Sequence, residues 1–313
     1  MTRFITSTLR SRLACFTRFT AALLLTGGMA ASFSTPVLAN TIVLGGKNFT
    51  EQYVLVELTS QYLRSRGYTV ETRTGLGSVL LRSAQENNQV DLTWEYTGTA
   101  ALVYDKLTDK MTPDEMYQRV KDLDAKRGLV WLNKSPMNDT YALALPAELA
   151  QKTGIRTISQ LAAKLNSDPK GTRHVFGMDD EFANRPDGLK PLEAAYDLHF
   201  NRKEARQMDP GLVYTALRKN QIEIGLVYTT DGRVKGFGIV PLEDDKHFFP
   251  PYNATPVVRA PILQQNPKLA QQLNALSALL NNDTVLDMDK QVDIDGKSVQ
   301  AVAADFLRQH QLP

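Results

Sequence analysis

Two extended passages, Asp139-Thr-Tyr-Ala-Leu-Ala-Leu-Pro146 and Pro250-Pro-Tyr-Asn-Ala-Thr-Pro-Val-Val-Arg259, interrupt an otherwise regular alternation of strands and helices. Roughly a hundred residues lie between them, with an α/β alternation of their own. Read as two crossings between domains, these passages predict a discontinuous first lobe, 40–142 plus 251–313, and an inserted second lobe, 143–250. Two strand-like connections form a hinge, and the cleft between two hinged lobes is a common place for a ligand.

The flanking sequence supports this frame. Thr41-Ile-Val-Leu-Gly45 reads as an opening strand, and Asn48 with Glu51 three residues on resembles a capping box at a helix start. Val54, Leu55, Leu58 and Tyr62 then share one helical face, and Gly67 marks its stop. Tyr68–Thr74 is rich in β-formers, Gly75-Leu-Gly77-Ser78 turns into a second helix, and Val90–Trp94 is a further strand. In the insert, 171–178 and 222–228 read as strands and 188–199 as a helix. Asp209-Pro210 is an N-cap and first-turn pair for another helix. Units of roughly 20–30 residues alternating in this way argue for parallel α/β sheets. The stretch 266–313 is helical, ending in a helix over 298–308.

The first 39 residues read as targeting. Arg3, Arg10, Arg12 and Arg18 precede a short apolar run from Phe19, and Val37-Leu38-Ala39 has the small residue required for cleavage. The run is too short for a membrane span. The lone cysteine, Cys15, lies inside this segment and has Arg12 where a lipid-attachment motif needs an aliphatic residue. The whole chain has 36 Lys plus Arg against 34 Asp plus Glu. Loss of the four leader arginines leaves 32 against 34, a net of −2. A basic surface for nucleic acid is therefore not expected, and without cysteine the mature chain has neither a disulfide nor a Cys-based metal site.

Enzyme signatures are missing. The four histidines, His174, His199, His247 and His310, have no metal-ligand spacing, and there is no nucleophile elbow and no phosphate loop. Gly75-Leu-Gly77 lacks the third glycine of a dinucleotide fingerprint. No cofactor or metal is expected. Tyrosine carries the chemistry instead. Tyr96, Tyr141, Tyr228 and Tyr252 each stand at a predicted strand end or a crossing, beside Thr, Asp or Asn. Ligands of open α/β sheets bind at strand ends. Phenol faces meeting there would form a cage for a quaternary ammonium, which has no N–H to donate and is recognised by ring quadrupoles. Trp94 and Trp131 sit in apolar strand patterns and are expected in the core.

Several segments are familiar as a set: Gly46-Lys-Asn-Phe-Thr-Glu-Gln52, Glu95-Tyr-Thr-Gly-Thr99, Asn138-Asp-Thr-Tyr-Ala-Leu143, Asp209-Pro-Gly-Leu212, Tyr228-Thr-Thr-Asp-Gly-Arg233, Asp244-Asp-Lys-His-Phe-Phe-Pro-Pro-Tyr252 and Pro256-Val-Val-Arg259. In this order, over nearly all of 41–310, they resemble the glycine betaine/carnitine/choline-binding proteins of osmoprotectant ABC importers. The resemblance implies an α/β, two-lobed type II periplasmic-binding fold closing over its ligand, with the cage on Tyr96, Tyr141, Tyr228 and Tyr252. It also implies a periplasmic, non-enzymatic receptor whose partners are a small quaternary-ammonium ligand and a membrane permease with its ATPase. A monomer is expected, with no nucleic-acid partner.

Lys47 and Asn48, at the predicted helix start, are candidate donors for a ligand carboxylate. Thr97, Thr140 and Thr229 would add hydroxyls, and Arg185 is a weaker candidate. Asp139 would complement the cation or hold the hinge. The rival reading is a secreted α/β enzyme acting on a choline or betaine derivative; a binder of amino acids is a nearer alternative. We expect the mature protein to begin at Asn40 and to appear in the osmotic-shock fraction. Intact mass of that fraction is the check, and residues 1–39 retained on the chain would refute the cleavage.

Overall fold

The computed structural model describes residues 41–169 and 172–312. The targeting segment, 1–39, lies outside the described residues. Among those that are described, no helix is long and apolar enough to cross a membrane.

In chain order the strands are β1 (Ile42–Lys47), β2 (Val70–Leu76), β3 (Leu92–Tyr96), β4 (Leu129–Trp131), β5 (Tyr141–Pro146), β6 (Phe176–Met178), β7 (Ala205–Gln207), β8 (Ile224–Tyr228), β9 (Ile239–Pro241) and β10 (Ala254–Arg259). They form two five-stranded sheets, ordered β2-β1-β3-β10-β4 and β7-β6-β8-β5-β9. Each sheet follows one plan. Three strands run parallel, and a crossing strand enters antiparallel in fourth place: β10 beside β3 in one sheet, β5 beside β8 in the other. Parallel strands need long helical crossovers, which accounts for the strand–helix alternation of the sequence.

Sheet membership passes from the first lobe to the second between Trp131 and Tyr141 and returns between Pro241 and Ala254. At that point the two crossings pair with each other. Asn138 and Asn253 form an isolated antiparallel bridge. The Asp139 amide donates to the Tyr252 carbonyl at 3.2 Å, and the Tyr252 amide donates to Asn138 Oδ1 at 2.6 Å.

The first helix, α1 (Thr50–Ser65), buries the apolar face read from its sequence and stops at Gly67, whose φ is +89°. Its start differs from expectation. The N-cap is Phe49 with extended backbone, and no side chain caps the helix. Asn48 stands one residue too early, and the Glu51 carboxylate is taken up by buried partners described below. By contrast, Asp209 caps the helix Pro210–Arg218 as expected, accepting from the Gly211 amide at 2.9 Å. The helix expected over 188–199 is Leu189–Tyr196, ended by Asp197 in the left-handed region. The strand expected from 171 begins only at Phe176.

Trp94 and Trp131 are fully buried, and each indole N–H has a partner: Thr59 Oγ1 at 2.9 Å and Asp124 Oδ2 at 2.7 Å. This is how a core tryptophan meets its one polar requirement.

The helix Gly232–Gly236 of the second lobe packs on the helix Asn282–Asp293 of the first. A Cβ at Gly232 would lie 2.4 Å from the Lys290 amide nitrogen and 2.5 Å from its Cα, both backbone atoms. Gly232→Ala therefore has to push the helices apart. It should cost about 1–3 kcal/mol, lowering Tm by roughly 2–10 °C at this chain length. A melting curve superimposable on the parent's would refute the tight contact.

Candidate functional site

A cavity of about 630 Å³ opens between the two sheets. On the first lobe it is walled by the carboxyl ends of β3, β1 and β2, reached at Tyr96, at Lys47-Asn48-Phe49 and at Gly77-Ser78. On the second lobe it is walled by the ends of β8, β6 and β7, at Tyr228, Asp179–Glu181 and Gln207–Pro210. Tyr141 and Tyr252, on the crossings, close its inner end. Strand polarity is the cause: all six parallel strands deliver their carboxyl ends, and the turns that follow, to one rim.

Four tyrosines expected to meet do line this one cavity. The Tyr141 ring centroid is 5.3 Å from those of Tyr228 and Tyr252, the latter edge-on at 81°. Phe49, which residue-type reasoning passed over, stacks on Tyr228 at 5.0 Å and lies 6.2 Å from Tyr96. It joins the Tyr96 side of the cage to the Tyr228 side. The phenol of Tyr96 donates to Glu51 at 2.5 Å and accepts from Gln52 Nε2 at 2.8 Å. The phenol of Tyr228 donates to Asp179 at 3.2 Å and that of Tyr252 to Asp187 at 2.6 Å. Burial, with nearby carboxylates, holds these phenols well above their ordinary pKa, so they stay neutral.

Lys47 and Arg185 are the basic side chains lining the cavity. Lys47 ends β1 and does not stand at a helix N-terminus as expected. It is buried, bonds Glu95 at 2.7 Å and lies 4.7 Å from the Tyr96 centroid. Arg185 forks onto Asp187 through Nε at 2.8 Å and Nη2 at 2.6 Å. Its guanidinium lies over Tyr141 at 5.6 Å and Tyr252 at 5.9 Å. Burial works against that charge, yet the Asp187 carboxylate, which accepts from two of its nitrogens, keeps it protonated. Against these two cations stand Asp139, Asp179, Asp180, Glu181 and Asp209, so the lining is predominantly acidic. Asp179 and Glu181 follow β6, where the strand-end rule would have pointed to them.

The three threonines named from sequence do not line the cavity. Thr97 Oγ1 donates to the Pro251 carbonyl and accepts from the Asn253 amide, both at 3.0 Å. The Thr140 amide donates to Thr229 Oγ1 at 3.2 Å, and the Thr229 amide to the Thr140 carbonyl at 2.9 Å. The hydroxyls of Thr97 and Thr229 and the backbone of Thr140 go into the crossings. Asn48 and Asp139 do line the cavity, and Asp139 Oδ1 accepts from the Thr230 amide at 3.4 Å.

Further contacts join the lobes around the cavity. The Ser78 amide donates to Glu181 at 3.0 Å, and Arg185 Nη1 to Thr99 Oγ1 at 3.3 Å. Beneath Tyr96, Thr230 Oγ1 of the second lobe donates to Glu51 Oε2 of the first at 2.6 Å. Glu51 is surrounded by Asp139, Asp231 and Asp289, with Lys47 in opposition. Loss of hydration pushes its pKa up to about 7 despite the bonds from Thr230 and Tyr96. The native chain thus holds a proton that the unfolded chain releases near 4.5. The stability this proton contributes is full below the unfolded value and is lost as pH rises toward 7. Thermal melts between about pH 5.5 and 7.5 should show Tm falling with pH, and Glu51→Gln should flatten the slope. Asp139 and Asp289, displaced upward by the same burial, leave a residual slope. An equal slope in parent and variant would refute the buried proton.

The chain was compared with known proteins. The model of the substrate-binding domain of ABC-type glycine betaine transport systems matches residues 40–309. A glycine-betaine-binding protein of Pseudomonas aeruginosa is 49% identical over 277 residues, 88% of this chain and 89% of that one. The carnitine transport binding protein OpuCC of Listeria monocytogenes is 30% identical over 92% of this chain and 94% of its own length. Among solved structures, apo YehZ from Escherichia coli superposes with a TM-score of 0.64 at 27% identity, covering 88% of this chain and all of that one. The matched family is one of substrate-binding domains, which leaves the secreted-enzyme reading without support. With two hinged α/β lobes around an aromatic cavity and a family match over nearly its whole described length, the chain belongs to the substrate-binding domains of ABC-type glycine betaine transport systems.

Proposed function

We propose that this protein is a periplasmic receptor for small trimethylammonium osmolytes, with glycine betaine first and carnitine and choline behind it. It would act as a monomer, from Asn40 onward, and hand its ligand to a membrane permease driven by an ATPase. The observation that carries this reading is the convergence of Tyr96, Tyr141, Tyr228 and Tyr252 on one acid-lined cavity. A quaternary ammonium cannot satisfy a carbonyl or a carboxylate through N–H, so desolvated ring faces suit it better than hydrogen-bond acceptors do. Phe49 adds a fifth ring. In this reading Lys47, Asn48 and Arg185 are the donors for a ligand carboxylate, since all three line the same cavity. Asp139 holds the crossing through Thr230, and Thr97, Thr140 and Thr229 brace the hinge.

Lobe closure fits the same reading. With lobes of 40–142 plus 251–313 and 143–250, Tyr96 comes from one, Tyr228 from the other, and Tyr141 and Tyr252 from the crossings. A ligand bound by both walls gains more ring contacts than one bound by a single wall. It favours the closed state by that difference in affinity and no more. Replacing any one of the four tyrosines by alanine should remove about 1–2 kcal/mol of cation–π and methyl contact, weakening glycine betaine binding roughly five- to thirtyfold. Phenylalanine, which keeps the ring face, should weaken it less. Calorimetric titration is the measurement, with circular dichroism to confirm the fold. Unchanged affinity in all four alanine variants would sink the cage.

A further inference from the structure

The cavity is longer than a glycine betaine molecule requires, and its two ends differ in chemistry. On the first lobe the strand order from the cage outward is β3, β1, β2, and on the second it is β8, β6, β7. Neighbouring strands lie about 4.8 Å apart, so each wall runs about 10 Å from the tyrosine cage to the edge strand. The first third is the cage. The middle third, at the ends of β1 and β6, carries Lys47 and Glu181, with Arg185 reaching in beside them. The outer third is walled by Val79 and Leu80 on one lobe and by Met208 and Pro210 on the other, with Gln207 and Asp209 beside them.

Of the three exposed large hydrophobic side chains among the described residues, Val79 and Leu80 line this outer end, and Leu212 follows its lining residue Pro210 by two positions. Val79 is 66% exposed, Leu80 59%, and Leu212, in the first turn after Pro210, 56%. Val79 and Leu80 lie on the first turn of the helix Ser78–Glu86, so neither is needed to anchor that helix. Its buried face uses Leu81 and Ala84 instead. Scattered exposed apolar residues are ordinary, but their gathering at the mouth of one slot, on both of its walls, marks a binding surface.

We propose that this outer end is a subsite for an apolar tail. The ligands that fill the whole slot would be O-acyl esters of a trimethylammonium hydroxy acid. Their ammonium lies in the cage, their carboxylate at Lys47 and Arg185, and their acyl chain between Val79, Leu80 and the Met208–Leu212 segment. The inference rests on the receptor reading above and extends it to a class of larger substrate. Met208 suits the role, because an unbranched thioether side chain adapts to tails of different length.

The test is a calorimetric series on the mature chain with glycine betaine, carnitine, acetylcarnitine and hexanoylcarnitine. Complete burial of a methylene is worth about fourfold in affinity, and a slot open on one side should yield about twofold. Hexanoylcarnitine, with four more methylenes, should therefore bind roughly fifteenfold more tightly than acetylcarnitine. In the triple variant Val79→Ser, Leu80→Ser, Leu212→Ser that ratio should fall to about one. The ratio is internal to each protein, so it is insensitive to a general loss of active material. Equal or falling affinity from acetyl to hexanoyl, with glycine betaine still bound, overturns the subsite and leaves the receptor reading intact. A ratio unchanged in the triple variant overturns it as well, and if uptake by the intact importer were lost at the same time, the three side chains would belong to the permease contact. Failure to bind any trimethylammonium compound overturns the receptor reading itself.

Discussion

Where the chain passes between its two sheets, Asn138 and Asn253 pair as a single antiparallel bridge, and the site is assembled around that contact. Thr97, at the end of β3, clamps the returning crossing from the first lobe, while Thr229, after β8, clamps the outgoing one from the second. The bridge sets the two sheets in register across the cleft. Tyr96 and Tyr228 reach the cavity from opposite lobes with Phe49 in contact with both, and Tyr141 and Tyr252, one on each crossing, line it as well. An exposed loop at this position would leave backbone groups unpaired in a buried place. The short bridge satisfies them and still leaves φ and ψ free to turn on either side of it, which is what a hinge requires.

The electrostatics follow from what is buried there. Aromatic rings remove water from the cavity, and the carboxyl groups beneath and beside them lose hydration as a result. Some are compensated: Lys47 and Arg185 hold Glu181 below its ordinary pKa against the pull of burial. Others, such as Glu51 and Asp139, are not, and are pushed upward. Carboxyl groups outnumber basic ones along the lining, and the neutral phenols among them suit a cation lacking N–H groups. Glu51 takes part in both aspects. It accepts from a cage tyrosine of its own lobe and from Thr230 of the other, so the protonation state beneath the cage is tied to the contact between the lobes.

Each lobe repeats one arrangement, three parallel strands and an inserted antiparallel one, and the cavity inherits that repetition as a slot with graded chemistry along its length. Tyr96 and Tyr228 end the strands next to the crossings, Phe49, Lys47 and Glu181 come from the next pair, and Val79, Leu80, Met208 and Asp209 from the turns after the edge strands. A two-domain receptor of this build needs no rearrangement of its scaffold to take different ligands, because the gradient is carried by the residues that follow each strand.

The amino-acid sequence alone determined the alternation of strands and helices, the two crossings, the burial of Trp94 and Trp131, the Asp209-Pro210 helix start and the gathering of four tyrosines. All of these rest on local periodicity, on end-of-strand position or on a recognisable order of short segments. What it did not reveal was which polar groups neighbouring elements would claim. Asn48 and Glu51 have capping-box spacing, but the N-cap position falls on Phe49, whose side chain caps nothing, and Glu51 is bound by Tyr96 and Thr230, residues distant in sequence. Lys47 reads as a helix-start donor and is the last residue of a strand, paired with Glu95. Thr97, Thr140 and Thr229 read as ligand hydroxyls, yet none lines the cavity, and the hydroxyls of Thr97 and Thr229 bind the crossings. Phe49 carries no polar signal and enters the cage only because β1 and β8 face each other across the cleft. Local patterns set which segments fold and where they turn. Partner choice for a buried hydroxyl, carboxylate or ammonium depends on which elements the bridge at Asn138 and Asn253 brings within hydrogen-bonding reach, and that is decided only in three dimensions.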